Sequence, residues 1–300
     1  MLRSTLHAAA RSRTVRSLVE SGPFDLLVDR FVAGTDDDAV LATARVLALD
    51  RLVTIDRLGE DTTDRAQADA TVAAYVTLLG RLGDLAPRVE VSVKLSALGQ
   101  SLAADADKIA LDAAREVCEA AATAGTTVTV DMEDHTLTDR TLQAVCDLRI
   151  DFPWVGAVLQ SQLRRTESDC HDLSGPGSRV RLCKGAYAEP ASVAFEQRSE
   201  VDLSYVRCLK VLMEGDGLPM VATHDPRLID IARHLGHARP YELQMLHGIR
   251  PDAQVALAAE GENLRVYLPY GAEWFGYFMR RLGERPANLM FFARSLLTRN

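Results

Sequence analysis

Lysine is scarce in this chain: Lys94, Lys108, Lys184 and Lys210 are four of its 34 basic residues, the rest being arginine. We read that bias as genome composition, not as chemistry. The 42 acidic residues bring the net charge to −8. A general nucleic-acid binder needs a basic excess or a basic face, so that class is excluded. Cysteine is sparse too. Cys118, Cys146, Cys170, Cys183 and Cys208 are odd in number, scattered and free of any CxxC pair, which excludes a zinc ribbon or a disulfide framework and fits a reducing, cytoplasmic setting. No apolar run approaches the ~20 residues of a membrane span. A Walker loop, a nucleophile elbow, paired glycosidase carboxylates and the glycine-rich dinucleotide turn are all missing. Neither a carboxylate nor a second histidine stands at metal spacing from His224, so no metal is expected. The first nineteen residues hold Arg3, Arg11, Arg13 and Arg16 and no acid, which resembles an organellar transit peptide; an N-terminal helical arm is the preferred reading.

What the chain does have is ample core, with 47% hydrophobic residues, and a regular beat. β-Branched runs occur at 52–56 (LVTID), 89–96 (VEVSVKLS), 126–131 (TTVTVD) and 155–160 (VGAVLQ). Four more follow at 179–183 (RVRLC), 218–223 (LPMVAT), 241–246 (YELQML) and 264–268 (LRVYL). Ala/Leu-rich amphipathic stretches separate them, one of which ends on the helix stop Gly125. Eight strand–helix units close most simply into a (β/α)8 barrel of the TIM type. No Pro/Gly/Ser linker divides the chain, so residues 1–50 are expected as a helical arm and 51–300 as the barrel.

Several strands alternate, unlike the continuous apolar runs usual in helix-covered parallel sheets. If Val91, Val93, Val128, Val130, Val180 and Leu182 meet the outer helices, the interior receives Lys94, Asp131, Gln160, Arg181 and Tyr267. Buried charges are costly unless they are paired or bound to something. These groups fall late in their strands, at the carboxyl mouth where barrel enzymes keep their sites. The pattern is that of a barrel holding a polar ligand.

Beyond the eighth strand, Arg280, Arg281, Glu284 and Tyr277 share one arc of a helix, and Phe275, Phe278, Met279 and Leu282 form the opposite stripe. That polar arc is either a solvated face or a guanidinium clamp for a carboxylate laid over the mouth. Lys94 is either a Schiff-base nucleophile or a plain carboxylate partner. Lys184 points away from Arg181 by alternation, and Gly185 permits close backbone approach to a ligand.

The motifs VSVKLSAL, VDMEDH, VLQ, RLCKGAY, VATHD, LQMLHG, RVYLPYG and RRLGE…ANLMFF occur in order, one per strand end, preceded by IDRLGE at 55–60. Over roughly residues 50 to 292 the chain resembles the proline dehydrogenases, flavoenzymes that oxidise L-proline to 1-pyrroline-5-carboxylate in proline catabolism. The resemblance implies a distorted barrel with FAD at its mouth and the helix after the eighth strand lying over the top. It implies that Arg280, Arg281 and Lys94 bind the substrate carboxylate, that Tyr267 walls the ring, and that Glu284 orients the helix end. Glu60 would pair with Arg280 as a gate. For FAD it implies Asp131, Met132, Gln160, Arg181, Cys183, Lys184, Gly185, Ala186, Thr223, His224, Gln244, Leu246 and Phe291, with Asp131 and Arg181 as the catalytic candidates. Ala188 and Asp225 depart from the family pattern, which often has an aromatic and an asparagine there; both lie at the periphery of the cofactor site. The implied electron acceptor is a membrane quinone, which an acidic chain without a span would reach only peripherally, with the basic arm as the contact. Two other readings stand beside this one: a Schiff-base or pyridoxal-phosphate barrel built on Lys94, and a flavin- or proline-binding homologue without turnover. Oligomeric state is not legible.

Overall fold

The computed structural model describes residues 28, 30–237 and 239–278. All eight expected strands are present: β1 (Leu52–Arg57), β2 (Val89–Val93), β3 (Val128–Val130), β4 (Gly156–Gln160), β5 (Arg179–Cys183), β6 (Leu218–Ala222), β7 (Glu242–Leu246) and β8 (Leu264–Tyr270). Neighbours pair in parallel, and β8 returns to β1, so the sheet is a closed barrel in sequence order. Helix α1 (Asp37–Leu47) precedes the barrel. The strands are then followed in turn by α2 (Arg65–Gly80), α3 (Ala106–Ala124), α4 (Thr138–Asp151), α5 (Thr166–Leu173), α6 (Arg198–Glu214), α7 (Pro226–Gly236) and α8 (Pro251–Ala259). Residues 274–278 are helical as well.

Local chemistry sets the helix ends. Asp36, Asp64 and Asp225 each place a side-chain oxygen on an unpaired N–H of the first turn of α1, α2 and α7. Gly125 ends α3 in the left-handed region at φ 79°, as its position in the sequence predicts. Phe31, Val40, Leu41 and Ala44 are buried, and the Ala33 N–H donates to the Pro269 carbonyl at 2.8 Å, so the segment with α1 packs against the barrel wall.

The expected alternation holds around the ring. Val53, Ile55, Val91, Val93, Val128, Val130, Leu159, Leu182, Val221, Val266 and Leu268 are buried in one continuous core between the strands and the helices. Each such side chain contributes roughly 1.5–3 kcal/mol by leaving water. The opposite set fills the interior with charge. Strand β2 ends three residues earlier than the expected run to Ser96. The chain leaves the sheet there because Ser96 opens a wide π-helical turn, closed by the Gln100 N–H on the Leu95 carbonyl at 2.9 Å. Among the described residues no helix is long and apolar enough to cross a membrane.

Candidate active site

The lower interior of the barrel is an ionic lattice. Glu90 on β2 accepts from Arg179 at 2.6 Å, Thr54 at 2.7 Å and Thr127 at 2.9 Å. Arg181 and Arg265 lie 3.5 and 3.7 Å from the same carboxylate. Arg265 also grips Glu242 at 2.7 and 3.0 Å, and Glu242 accepts from Gln244 at 2.6 Å. Burial alone would push the Glu90 carboxyl up; the guanidiniums of Arg265, Arg179 and Arg181 outweigh it and hold the group well below the usual carboxylate range.

Above this floor lie the residues expected at the mouth. The Lys94 ammonium contacts both oxygens of Asp56, at 2.8 and 2.9 Å, and stands 3.7 Å from Asp131. Arg181 donates to Asp131 at 2.6 Å, to Ser92 at 3.1 Å and to Gln244 at 2.5 Å. The Tyr267 hydroxyl donates to the other Asp131 oxygen at 2.6 Å, and the Arg181 guanidinium lies 5.2 Å from the Tyr267 ring centre. One carboxylate, Asp131, therefore joins Lys94, Arg181 and Tyr267. Burial disfavours the Lys94 charge, but Asp56, Asp131 and Glu60 more than restore it and raise its proton affinity above that of an ordinary lysine. A lysine held as an ammonium has no lone pair for imine formation, so the geometry favours the carboxylate-partner role over the Schiff-base one.

The rim from β3 to β7 holds the remaining expected residues. Met132 is buried, and the Gln160 amide donates to the Glu133 carbonyl at 2.7 Å. Cys183 contacts the Leu159 carbonyl at 3.6 Å; burial lifts its thiol to about 11, so it stays protonated at neutral pH. Thr223 accepts from the Asp225 N–H at 3.1 Å, and the His224 ring accepts from the Leu246 N–H at 3.3 Å. Lys184 points away from Arg181 as expected, toward Asp202 at 2.5 Å and Asp225 at 3.5 Å. The departure at Asp225 is thus used locally, as a cap for α7 and a partner for Lys184. Gly185 has φ 103°, a conformation that strains any side chain, and a Cβ there would have to displace the Gln162 side chain, 2.4 Å away. Ala186 beside it is exposed.

Arg280, Arg281, Glu284 and Phe291 lie outside the described residues. The residues before them are described: Phe275 and Phe278 are buried, and Trp274 meets both rings edge-on. Tyr277, which the sequence pattern groups with the two arginines, is buried as well, not solvated. Sequence reasoning missed Asp56, Glu90 and Glu133. Asp56 and Glu90 have the same parity as Thr54 and Lys94 on their strands, a signal available in the alternation. Glu133 sits in a loop without period. It is buried, and burial raises its carboxyl to about 7 even though two hydrogen bonds from Ser96 oppose the shift.

The donor set suits a flavin. A guanidinium matches a ring system that gains negative charge on reduction. The amides of Gln160 and Gln244, the Thr223 hydroxyl and the His224 ring match its alternating donors and acceptors. Lys184 fits a phosphate less well, since two carboxylates already balance it.

The family model described as Proline dehydrogenase matches residues 41–294. Proline dehydrogenase 1 of Bacillus subtilis is 34% identical over 303 residues, 99% of each chain. The proline dehydrogenase of Deinococcus radiodurans is 37% identical over 279 residues, 90% of each chain. Among solved structures, proline utilization A (PutA) from Bdellovibrio bacteriovorus, inactivated by N-propargylglycine, superposes with a TM-score of 0.77 at 24% identity. The match covers 85% of this chain and only 32% of that one, so the likeness is one of fold.

Proposed function

The chain belongs to the proline dehydrogenase family, oxidoreductases of proline catabolism, and from that membership we propose its finer chemistry. L-Proline is oxidised to 1-pyrroline-5-carboxylate by hydride transfer, with FAD held at the barrel mouth as acceptor and a quinone as the final acceptor. The observation that carries this reading is the buried array in which Asp131 and Lys94, just past the ends of β3 and β2, are joined to Arg181 and Tyr267 from within β5 and β8.

When bound, the flavin supplies the hydride acceptor. Lys94 keeps its charge and offers an N–H to the proline carboxylate, but Asp56 and Asp131 already balance that charge. The surplus positive charge for a carboxylate must then come from Arg280 and Arg281, which is why both belong to the proposed clamp. Glu60 would gate that clamp through Arg280, and Glu284 would set the helix end. The Tyr267 ring, fixed by its bond to Asp131, would bound the substrate ring. Positioning of this kind supplies several kcal/mol of barrier reduction. Arg181, locked by Asp131 and Gln244, would stabilise charge arriving at the cofactor without rearranging. Residues 1–50 are proposed as an arm on the barrel and as its peripheral contact with a quinone-bearing membrane.

Two measurements on purified protein test this. Denaturation should release FAD, identified by chromatography and mass, and L-proline should drive reduction of a soluble quinone. Release of no flavin, or of FMN, would overturn the cofactor assignment. Release of FAD without proline turnover would favour a binding homologue.

A further inference from the structure

A chain of hydrogen bonds, built mostly from residues outside the expected site and ending on Gln160, crosses the mouths of four strands. Glu133, two residues beyond Asp131, accepts from the Ser96 N–H at 3.1 Å and from the Ser96 hydroxyl at 2.5 Å. The same hydroxyl accepts from the Asp61 N–H at 3.0 Å, and the Ser96 carbonyl accepts from the Thr62 N–H at 3.1 Å. On its other side, the Glu133 carbonyl accepts from the Gln160 amide at 2.7 Å. The loops after β1, β2 and β3 and the last residue of β4 are thereby tied together.

The loop after β1 carries Glu60, close enough to influence the protonation of both Lys94 and Glu133. That loop holds a strained conformation, with Asp61 at φ 55°, and such a conformation persists only where its surroundings over-determine it. The two bonds to Ser96 do so. A buried carboxylate is a costly way to brace a loop, and an apolar contact would brace it more cheaply. We infer that Ser96 and Glu133 are a positioning pair for the substrate end of the site: Glu133 orients the serine, the serine fixes the Glu60 loop beside Lys94, and the pair thus governs how tightly the proline carboxylate is bound. The inference rests on the reading that Lys94 and Glu60 belong to the proline-binding end.

The test compares wild type with Ser96→Ala, Glu133→Ala and Glu133→Gln, each alone and with Glu60→Gln, by kcat and KM for L-proline. Ser96→Ala and Glu133→Ala should raise KM about tenfold with kcat within about twofold, and Glu133→Gln, which keeps one acceptor, should fall between. In the Glu60→Gln background Glu133→Ala should add little, because both changes act through one loop. Unchanged KM in folded variants, a proportional loss of kcat, or independent effects in the double variant would overturn the inference. Should Glu133→Ala fail to fold, Ser96→Ala and Glu133→Gln carry the comparison. Amide exchange at Asp61 and Thr62 reads the clasp without turnover. Acceleration in Ser96→Ala on a chain inactive toward proline would sink the functional reading and keep the clasp; unchanged exchange would sink the clasp itself.

Discussion

Glu90→Gln removes one charge from the floor of the barrel and keeps the shape. In the wild-type chain that carboxylate faces Arg179 at 2.6 Å, with Arg181 and Arg265 at 3.5 and 3.7 Å. After the substitution Arg265 retains Glu242 and Arg181 retains Asp131, while Arg179 loses this carboxylate. Breaking a buried pair by removing one partner costs about 3–5 kcal/mol. The glutamine oxygen still accepts from a threonine or Arg179 and restores about 1 kcal/mol. We therefore expect a net loss of about 2–4 kcal/mol, which at about 2–4 °C per kcal/mol lowers the melting temperature by roughly 5–15 °C. The sign with pH is also set. The folded-state carboxyl is held below its unfolded value of 4.5, so its stabilisation is complete above that pH and is lost as the pH falls further. Urea unfolding followed by circular dichroism should show a wide gap between the two proteins at neutral pH and a narrowing gap on acidification below about pH 4.5. A variant within about 0.5 kcal/mol of wild type at neutral pH, or a gap that does not narrow in acid, would refute the lattice as a source of stability.

Lys94→Met leaves Asp56 buried without its ammonium; we expect kcat/KM for L-proline to fall at least ~100-fold and stability to drop by about 3 kcal/mol, both read on one preparation. Tyr267→Phe keeps the ring and removes one donor from Asp131, and hydrogen bonds to charged groups are worth about 1.5–3 kcal/mol, so kcat/KM should fall roughly 10- to 100-fold; a value within twofold would show that the Tyr267–Asp131 bond does not serve the reaction. Burial raises the Glu133 carboxyl from 4.5 to about 7, so the folded chain holds that proton more tightly and wild-type stability declines as pH rises between those values. Glu133→Gln lacks this loss and should gain on wild type by about 3 kcal/mol across that window in urea titrations; parallel curves would contradict it. Proline must react as the neutral amine, so turnover should rise between about pH 6 and pH 9, and a flat profile would count against rate-limiting amine oxidation.

The barrel was legible because its signal is periodic. In RVRLC and VEVSVKLS, alternation separated wall from interior, and the structure puts Val91 and Leu182 in the wall and Lys94 and Arg181 inside. The same rule reaches Glu90, at the start of β2, and Asp56, near the end of β1, once alternation is followed along the whole of each strand. Ser96 shows where the rule ends: it has the right parity, but the strand stops at Val93 and a π-helical turn sets its direction. Glu133 was out of reach, since a loop side chain takes its partner from the fold and from no repeat along the chain. The helical wheel grouped Tyr277 with Arg280 and Arg281 and could not tell solvent from site. Its burial shows that this arc faces protein at Tyr277.

We propose that L-proline, seated against Lys94 and Tyr267, reduces a flavin seated against Arg181. The most direct measurement is the visible spectrum of the purified protein before and after anaerobic addition of L-proline. An oxidised-flavin band should be present, bleach on addition and return with a quinone. A flavin band that proline leaves untouched, or a colourless protein that stays inactive with added FAD, would contradict the proposal.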